Sequence, residues 1–110
     1  MPKPFMVRQG DVLIVAAPAN PALGELVPRD KGRIVLAYGE ATGHAHAIMD
    51  HEAELRTLPN TDDRFLRIMA TSGVKLQHEE HTALVLPKGD YIVRRQREHV
   101  PNALPRYVAD

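Results

Sequence analysis

Short runs of β-branched and aliphatic residues follow one another along the chain, separated about every ten residues by glycine or proline. Val12–Ala16 is an apolar run of strand length, and Arg64–Ala70 alternates between the two faces of a strand. No segment shows a convincing amphipathic helical pattern. The sequence therefore predicts an all-β fold, a small barrel or sandwich of about eight short strands.

Strict alternation is also seen in Arg33–Tyr38, which places Ile34, Leu36 and Tyr38 on one face of a predicted strand. The segment His44–Met49 is predicted as a strand, although its alanines also suit a helix. The remaining predicted strands are Glu54–Leu58, Val74–Gln77, Ala83–Leu86 and Tyr91–Glu98.

A chain of 110 residues fits a single domain, and no linker divides it. We therefore expect one β domain over residues 1–110. Three prolines predict a Pro/Ala loop over residues 17–29, and Pro101 and Pro105 predict an irregular tail from about residue 100.

The charge balance and the lack of cysteine narrow the function classes. Lys and Arg together number 14, as do Asp and Glu, which argues against a nucleic-acid binder that works by bulk charge. The absence of cysteine excludes disulfides, thiolate metal sites and a cysteine nucleophile, and favours a reducing compartment. We expect a cytoplasmic protein, because Met1–Val7 does not resemble a signal peptide and no apolar run is long enough for a membrane span.

Five of the six histidines lie in two short segments. His44 and His46 share one face if their segment is a strand, so both imidazoles can bind one ion. His78 and His81 converge only on a helical turn or a bend, which the two glutamates between them favour. The sequence therefore predicts that four imidazoles meet in one metal site.

Imidazole ligands suit a divalent transition metal such as zinc, nickel, iron or copper. Four histidines would fill the shell of a structural or storage site, whereas three histidines and a water would form a catalytic site. In the catalytic case Glu79 or Glu80 is the predicted general base. Histidine pairs are also common as ordinary surface or core residues.

Two family resemblances bear on this site. His44-Ala45-His46 with a later glutamate, Glu52 or Glu54, and the turn Pro87–Gly89 resemble the two motifs of cupin barrels, although the histidine of the second motif is missing. The segments Tyr38–His46, His78–His81, Leu86–Tyr91 and Arg95–Glu98 together resemble small uncharacterised bacterial and phage-encoded β proteins. The cupin resemblance implies a metal inside a barrel, and the second resemblance implies no function.

Two other function classes stay open. Arg94, Arg95 and Arg97, with Lys88 nearby, form the densest basic segment and would be the nucleic-acid contact of a weak binder. We favour the alternative interpretation, a charged strand that pairs with Glu79, Glu80, Glu98 or a neighbouring subunit. The other open class is a non-enzymatic interaction or structural module, including a phage-associated one. We also expect a homo-oligomer, since small β proteins often cover edge strands with a second copy.

Overall fold

A computed structural model of the chain describes residues 5–39 and 43–95. This part contains nine strands and no helix, so the all-β prediction is confirmed. In chain order the strands are β1 Met6–Gln9, β2 Val12–Ala16, β3 Ile34–Tyr38, β4 Ala45–Ile48, β5 Ala53–Thr57, β6 Arg64–Ile68, β7 Val74–Gln77, β8 Leu84–Leu86 and β9 Gly89–Arg95. The additional strand is β1, which the apolar pattern did not predict.

The strands form two antiparallel sheets. One sheet has the order β1-β2-β9-β6-β5, and the other has the order β3-β4-β7-β8. The apolar core includes side chains of both sheets, among them Ile14, Leu66, Ile48 and Leu76, all of which are fully buried. Each such side chain stabilises the fold by about 1.5–3 kcal/mol. Of the two predicted architectures, the described strands match a sandwich, because they do not close into one barrel.

A bulge changes the predicted faces of β3. The register with β4 shifts between Val35 and Ala37, so that Ile34 and Ala37 are buried while Tyr38 is 54% exposed. A bulge adds one residue to a strand and reverses the alternation beyond it. The prediction that Tyr38 shares the face of Ile34 is therefore wrong.

Residues 17–29 contain no named strand, and residues 24–27 within them run alongside β5. Backbone N–H groups of Gly24 and Val27 donate to the carbonyl oxygens of Thr57 and Leu55. The predicted tail from about residue 100 and the end of the predicted strand Tyr91–Glu98 lie outside the described residues. Within the described ranges no helix is long and apolar enough to cross a membrane.

The turn between β1 and β2 positions part of the site. Gly10 has a φ of 58°, a left-handed conformation that glycine adopts without strain. This turn places Gln9 at the end of β1 and Asp11 just before β2. Both side chains face the segment of β4 that contains His46.

Candidate metal centre

The four predicted histidines come together at one end of the smaller sheet. The ring of His78 lies 4.3 Å from that of His46, 4.6 Å from that of His81 and 5.7 Å from that of His44, measured between ring centroids. His46 and His81 lie 5.8 Å apart with nearly parallel rings. The pair His44 and His46 therefore meets the pair His78 and His81 in space, although the two pairs are 32 or more residues apart in sequence.

Strand register explains most of this convergence. β4 pairs with β7 through Ala47 opposite Gln77, so continuing the ladder by one residue sets His46 opposite His78. Residues 79–81 form a bend between β7 and β8. That bend lets His81 return to the face of His78, as the two intervening glutamates suggested.

We call His44, His78 and Glu79 the outer group. One donor atom from each lies within 4.8 Å of the other two, close enough for one metal ion after small side-chain shifts. Glu79 Oε1 accepts a hydrogen bond of 3.0 Å from the Ala45 N–H, which lowers the pKa of the Glu79 carboxyl and keeps it ionised. This carboxylate is therefore both charged and held beside the histidines.

Two contacts with Glu80 bear on which ring nitrogens of His78 and His44 can offer a lone pair to a metal ion. The Glu80 N–H donates to His78 Nδ1 at 3.0 Å, so the proton of the neutral His78 ring is on Nε2. A metal ion bound at Nδ1 would have to replace this hydrogen bond. Glu80 Oε2 lies 3.4 Å from His44 Nδ1, but the Glu80 side chain is 65% exposed.

His46 differs from the outer group because it is only 2% exposed. Gln9, equally buried, donates both amide hydrogens to the carbonyl oxygens of Leu76 and Thr82, each at 3.0 Å. Its Oε1 lies 2.8 Å from His46 Nδ1. Burial, reinforced by the neighbouring His78, lowers the pKa of His46 to about 4, so the ring is neutral near pH 7.

The other nitrogen of His46 faces a carboxylate. His46 Nε2 lies 3.3 Å from Asp11 Oδ1, and the second oxygen of Asp11 accepts a 2.8 Å hydrogen bond from Arg95 Nε. Burial pushes the pKa of Asp11 upward, but the hydrogen bond and charge of Arg95 outweigh it and hold that pKa below its usual range. We call His46 and Asp11 the inner pair.

Two glycines leave room for the rings. A Cβ atom on Gly10 would lie 2.7 Å from His81 Nε2 and 3.1 Å from His46 Cε1. A Cβ atom on Gly39 would lie 2.9 Å from His44 Cβ and 3.2 Å from His78 Nε2. Any larger residue at either position would push the imidazoles from their present places.

The sequence pattern predicts no role for Gln9 or Asp11, and it predicts Glu79 as a base but not as a ligand. Gln9 and Asp11 lie 35 or more residues before His46, and no spacing motif connects them to it. The turn Gln9–Asp11 was visible, but only the pairing of the sheets shows what it faces. Glu79 was predicted as a base, whereas its backbone hydrogen bond places it among the possible ligands.

The basic segment has different partners from those predicted. Arg94 contacts Asp63 through two nitrogens, with a shortest distance of 3.0 Å. Arg95 contacts Asp11 and the carbonyl oxygen of Tyr38. The acidic partners of Arg94 and Arg95 are therefore aspartates next to the ends of other strands. Glu79 and Glu80 lie beside the histidines instead. Arg97 and Glu98 lie outside the described residues.

The model of one protein family, the domain of unknown function DUF8820, matches residues 8–96. The chain belongs to this family. The matched range contains the whole outer group and the inner pair, together with Gln9 and Arg95. No curated protein and no solved structure matches the chain, so the resemblance to cupins stays a prediction.

Proposed function

We propose that this DUF8820 protein binds a divalent transition metal ion in the outer group. The observation that carries the proposal is the convergence of four imidazoles, with donor atoms of His44, His78 and Glu79 within 4.8 Å of one another. Neutral imidazoles packed together gain little from one another, whereas a shared cation uses their lone pairs. His81 lies beside His78 and can supply a further ligand.

The donor set indicates the kind of metal. Two imidazoles and one carboxylate are the protein ligands of many catalytic zinc sites and of non-haem iron(II) sites. Such a set leaves coordination positions for water, so the proposed site suits metal-assisted hydrolysis or oxygen chemistry better than storage. Zinc is the first metal to test, since it needs neither a reductant nor a particular redox state.

The two glutamates take different roles in this proposal. Glu79 is fixed by the Ala45 N–H and is ionised, which suits a ligand. Glu80 is exposed and lies next to His44, so it is the residue that can accept a proton from a metal-bound water. The catalytic role of Glu80 depends on the metal site being present.

The test uses tag-free protein, its metal content by elemental analysis, and calorimetric titration with zinc, nickel, iron(II) and copper(II). We expect micromolar or tighter binding, weakened at least about 100-fold for the outer position in the double variant His44→Ala/His78→Ala. His51→Ala is the matched control, because His51 is exposed and outside the cluster. Failure of all four metals to bind would refute the proposal and favour an interaction module.

A further inference from the structure

The inner pair differs from an ordinary histidine–carboxylate contact because a third side chain, Gln9, fixes the tautomer of its imidazole. Both amide hydrogens of Gln9 are used by the carbonyl oxygens of Leu76 and Thr82. A flipped amide would set its oxygen against those two carbonyls, so Oε1 must face His46. Because Oε1 only accepts, Nδ1 of His46 must carry the proton.

It follows that the lone pair of the neutral His46 ring is on Nε2, which points at Asp11 Oδ1 3.3 Å away. A lone pair and a carboxylate oxygen repel each other when no proton lies between them. A cation between the two atoms removes this repulsion. Metal-binding histidines commonly have this arrangement, in which the distal ring N–H is bound by an oxygen acceptor.

The distance between the two atoms also fits. Two ligands bound at 2.0–2.1 Å to a tetrahedral zinc ion are about 3.3–3.4 Å apart. His44 and Glu80 have a similar separation, 3.4 Å, but Glu80 is mostly exposed. In contrast, His46 is buried, Gln9 fixes its ring, and Arg95 holds the second oxygen of Asp11.

The inner pair and the outer group are separate in the present geometry. Among the described residues, His44, His78 and Glu79 are the only set of three or more donors close enough to share an ion. Neither His46 nor Asp11 belongs to that set. Asp11 is 39% exposed at its side chain, so an ion can reach the inner pair from the side of Asp11.

We propose that His46 Nε2 and Asp11 Oδ1 bind a second divalent transition metal ion, with Gln9 as the positioning residue that turns Nε2 toward it. Water completes the coordination of this ion. This inference rests on the proposed function in one respect: both positions bind the same class of metal ion. Each position has its own ligands, so each can be removed without the other.

The experiment compares zinc stoichiometry by calorimetry in four tag-free proteins. The wild type is expected to bind two ions per chain, Asp11→Asn one ion, and His44→Ala/His78→Ala one ion. The matched control is Asp63→Asn, which breaks the pair with Arg94 on the same strand as Arg95 but touches no histidine. We expect the control to bind two ions like the wild type.

The outcomes separate the two proposals. One ion in the wild type, kept with unchanged affinity by Asp11→Asn and lost in the double histidine variant, would overturn the inner position and keep the outer one. One ion that Asp11→Asn loses and the double variant keeps would overturn the outer position alone. A single ion lost in both variants would show one shared site and overturn the second position.

The role of Gln9 can be tested in the wild type without any substitution. Long-range proton–nitrogen NMR of the metal-free protein at pH 7 reports which ring nitrogen of each histidine is protonated. We expect His46 to have its proton on Nδ1, and Nε2 to show the bound-nitrogen shift after zinc is added. A proton on Nε2, donated to Asp11, would identify a plain hydrogen bond and overturn the inference.

Discussion

The inner pair and the outer group use the same kind of residues in opposite surroundings. His46 is buried, its ring is fixed by Gln9, and its carboxylate partner Asp11 is held by Arg95. The His44 side chain is a quarter exposed, and its carboxylate partner Glu80 is mostly exposed. The two histidines therefore have different roles, because burial and hydrogen bonding restrict the ring of His46 more than that of His44.

We therefore expect substitutions in the inner pair and in the outer group to have different effects on folding and on metal binding. Loss of an inner side chain removes packing and leaves buried polar atoms without partners, so it affects folding as well as binding. Loss of an outer side chain exposes little and should affect metal binding alone.

His46→Ala is expected to lower the free energy of unfolding of the metal-free protein by about 2–4 kcal/mol. The substitution opens a cavity and leaves Gln9 Oε1 buried without its donor. His44→Ala should cost less than about 1 kcal/mol, because His44 is partly exposed. Urea denaturation of both variants checks the contrast, and equal losses would contradict it.

The pH dependence of folding tests the burial of His46. Its pKa is about 4 when folded and near 6.5 when unfolded, so between these values the unfolded chain binds more protons. Stability of the metal-free protein should therefore decrease as the pH falls from 6.5 to 4, by up to about 3 kcal/mol. Urea midpoints across this range should fall less steeply for His46→Ala, and parallel curves would contradict the assignment.

Gly39→Ala tests the packing of the outer group. The added methyl would lie 2.9 Å from His44 Cβ, and Gly39 does not have a positive φ, so the backbone is hardly strained. We expect a 3- to 10-fold weaker outer zinc site, roughly 1 kcal/mol. Gly32→Ala is the control: its φ of 80° strains the backbone, but its Cβ meets no atom within 4 Å, so stability should fall without a change in zinc affinity.

The smallest effect is expected for Glu80→Gln. Its carboxylate is largely exposed, and contacts of this kind contribute about 0–1 kcal/mol. Zinc affinity should change by less than about threefold, whereas Glu79→Gln should weaken the outer site about tenfold or more. Calorimetry of both variants decides which glutamate is the ligand, and the reverse order would exchange their roles.

The sequence predicted the parts of the site that follow from strand periodicity. The two-residue spacing of His44 and His46 put both on one face, and both rings do contact that of His78. The bend at residues 79–81 was also predicted, from its polar composition. These features are local, so a single segment contains the information.

The features that the sequence did not predict depend on contacts between sheets. Gln9 reaches His46 across 37 residues and Thr82 across 73, and no local pattern encodes either contact. The bulge in β3 likewise reverses the face of Tyr38 through its register with β4. Residues that orient a site from a second element are found only after the elements have been assembled.

The most direct test of the metal centre is a zinc titration followed by the ring nitrogen resonances of the histidines in tag-free, nitrogen-labelled protein. We predict that the signals of His44 and His78 shift to metal-bound positions at stoichiometric zinc, while those of exposed His51 do not move. Histidine signals that stay unchanged in the presence of excess zinc, or shifts confined to His51, would contradict it.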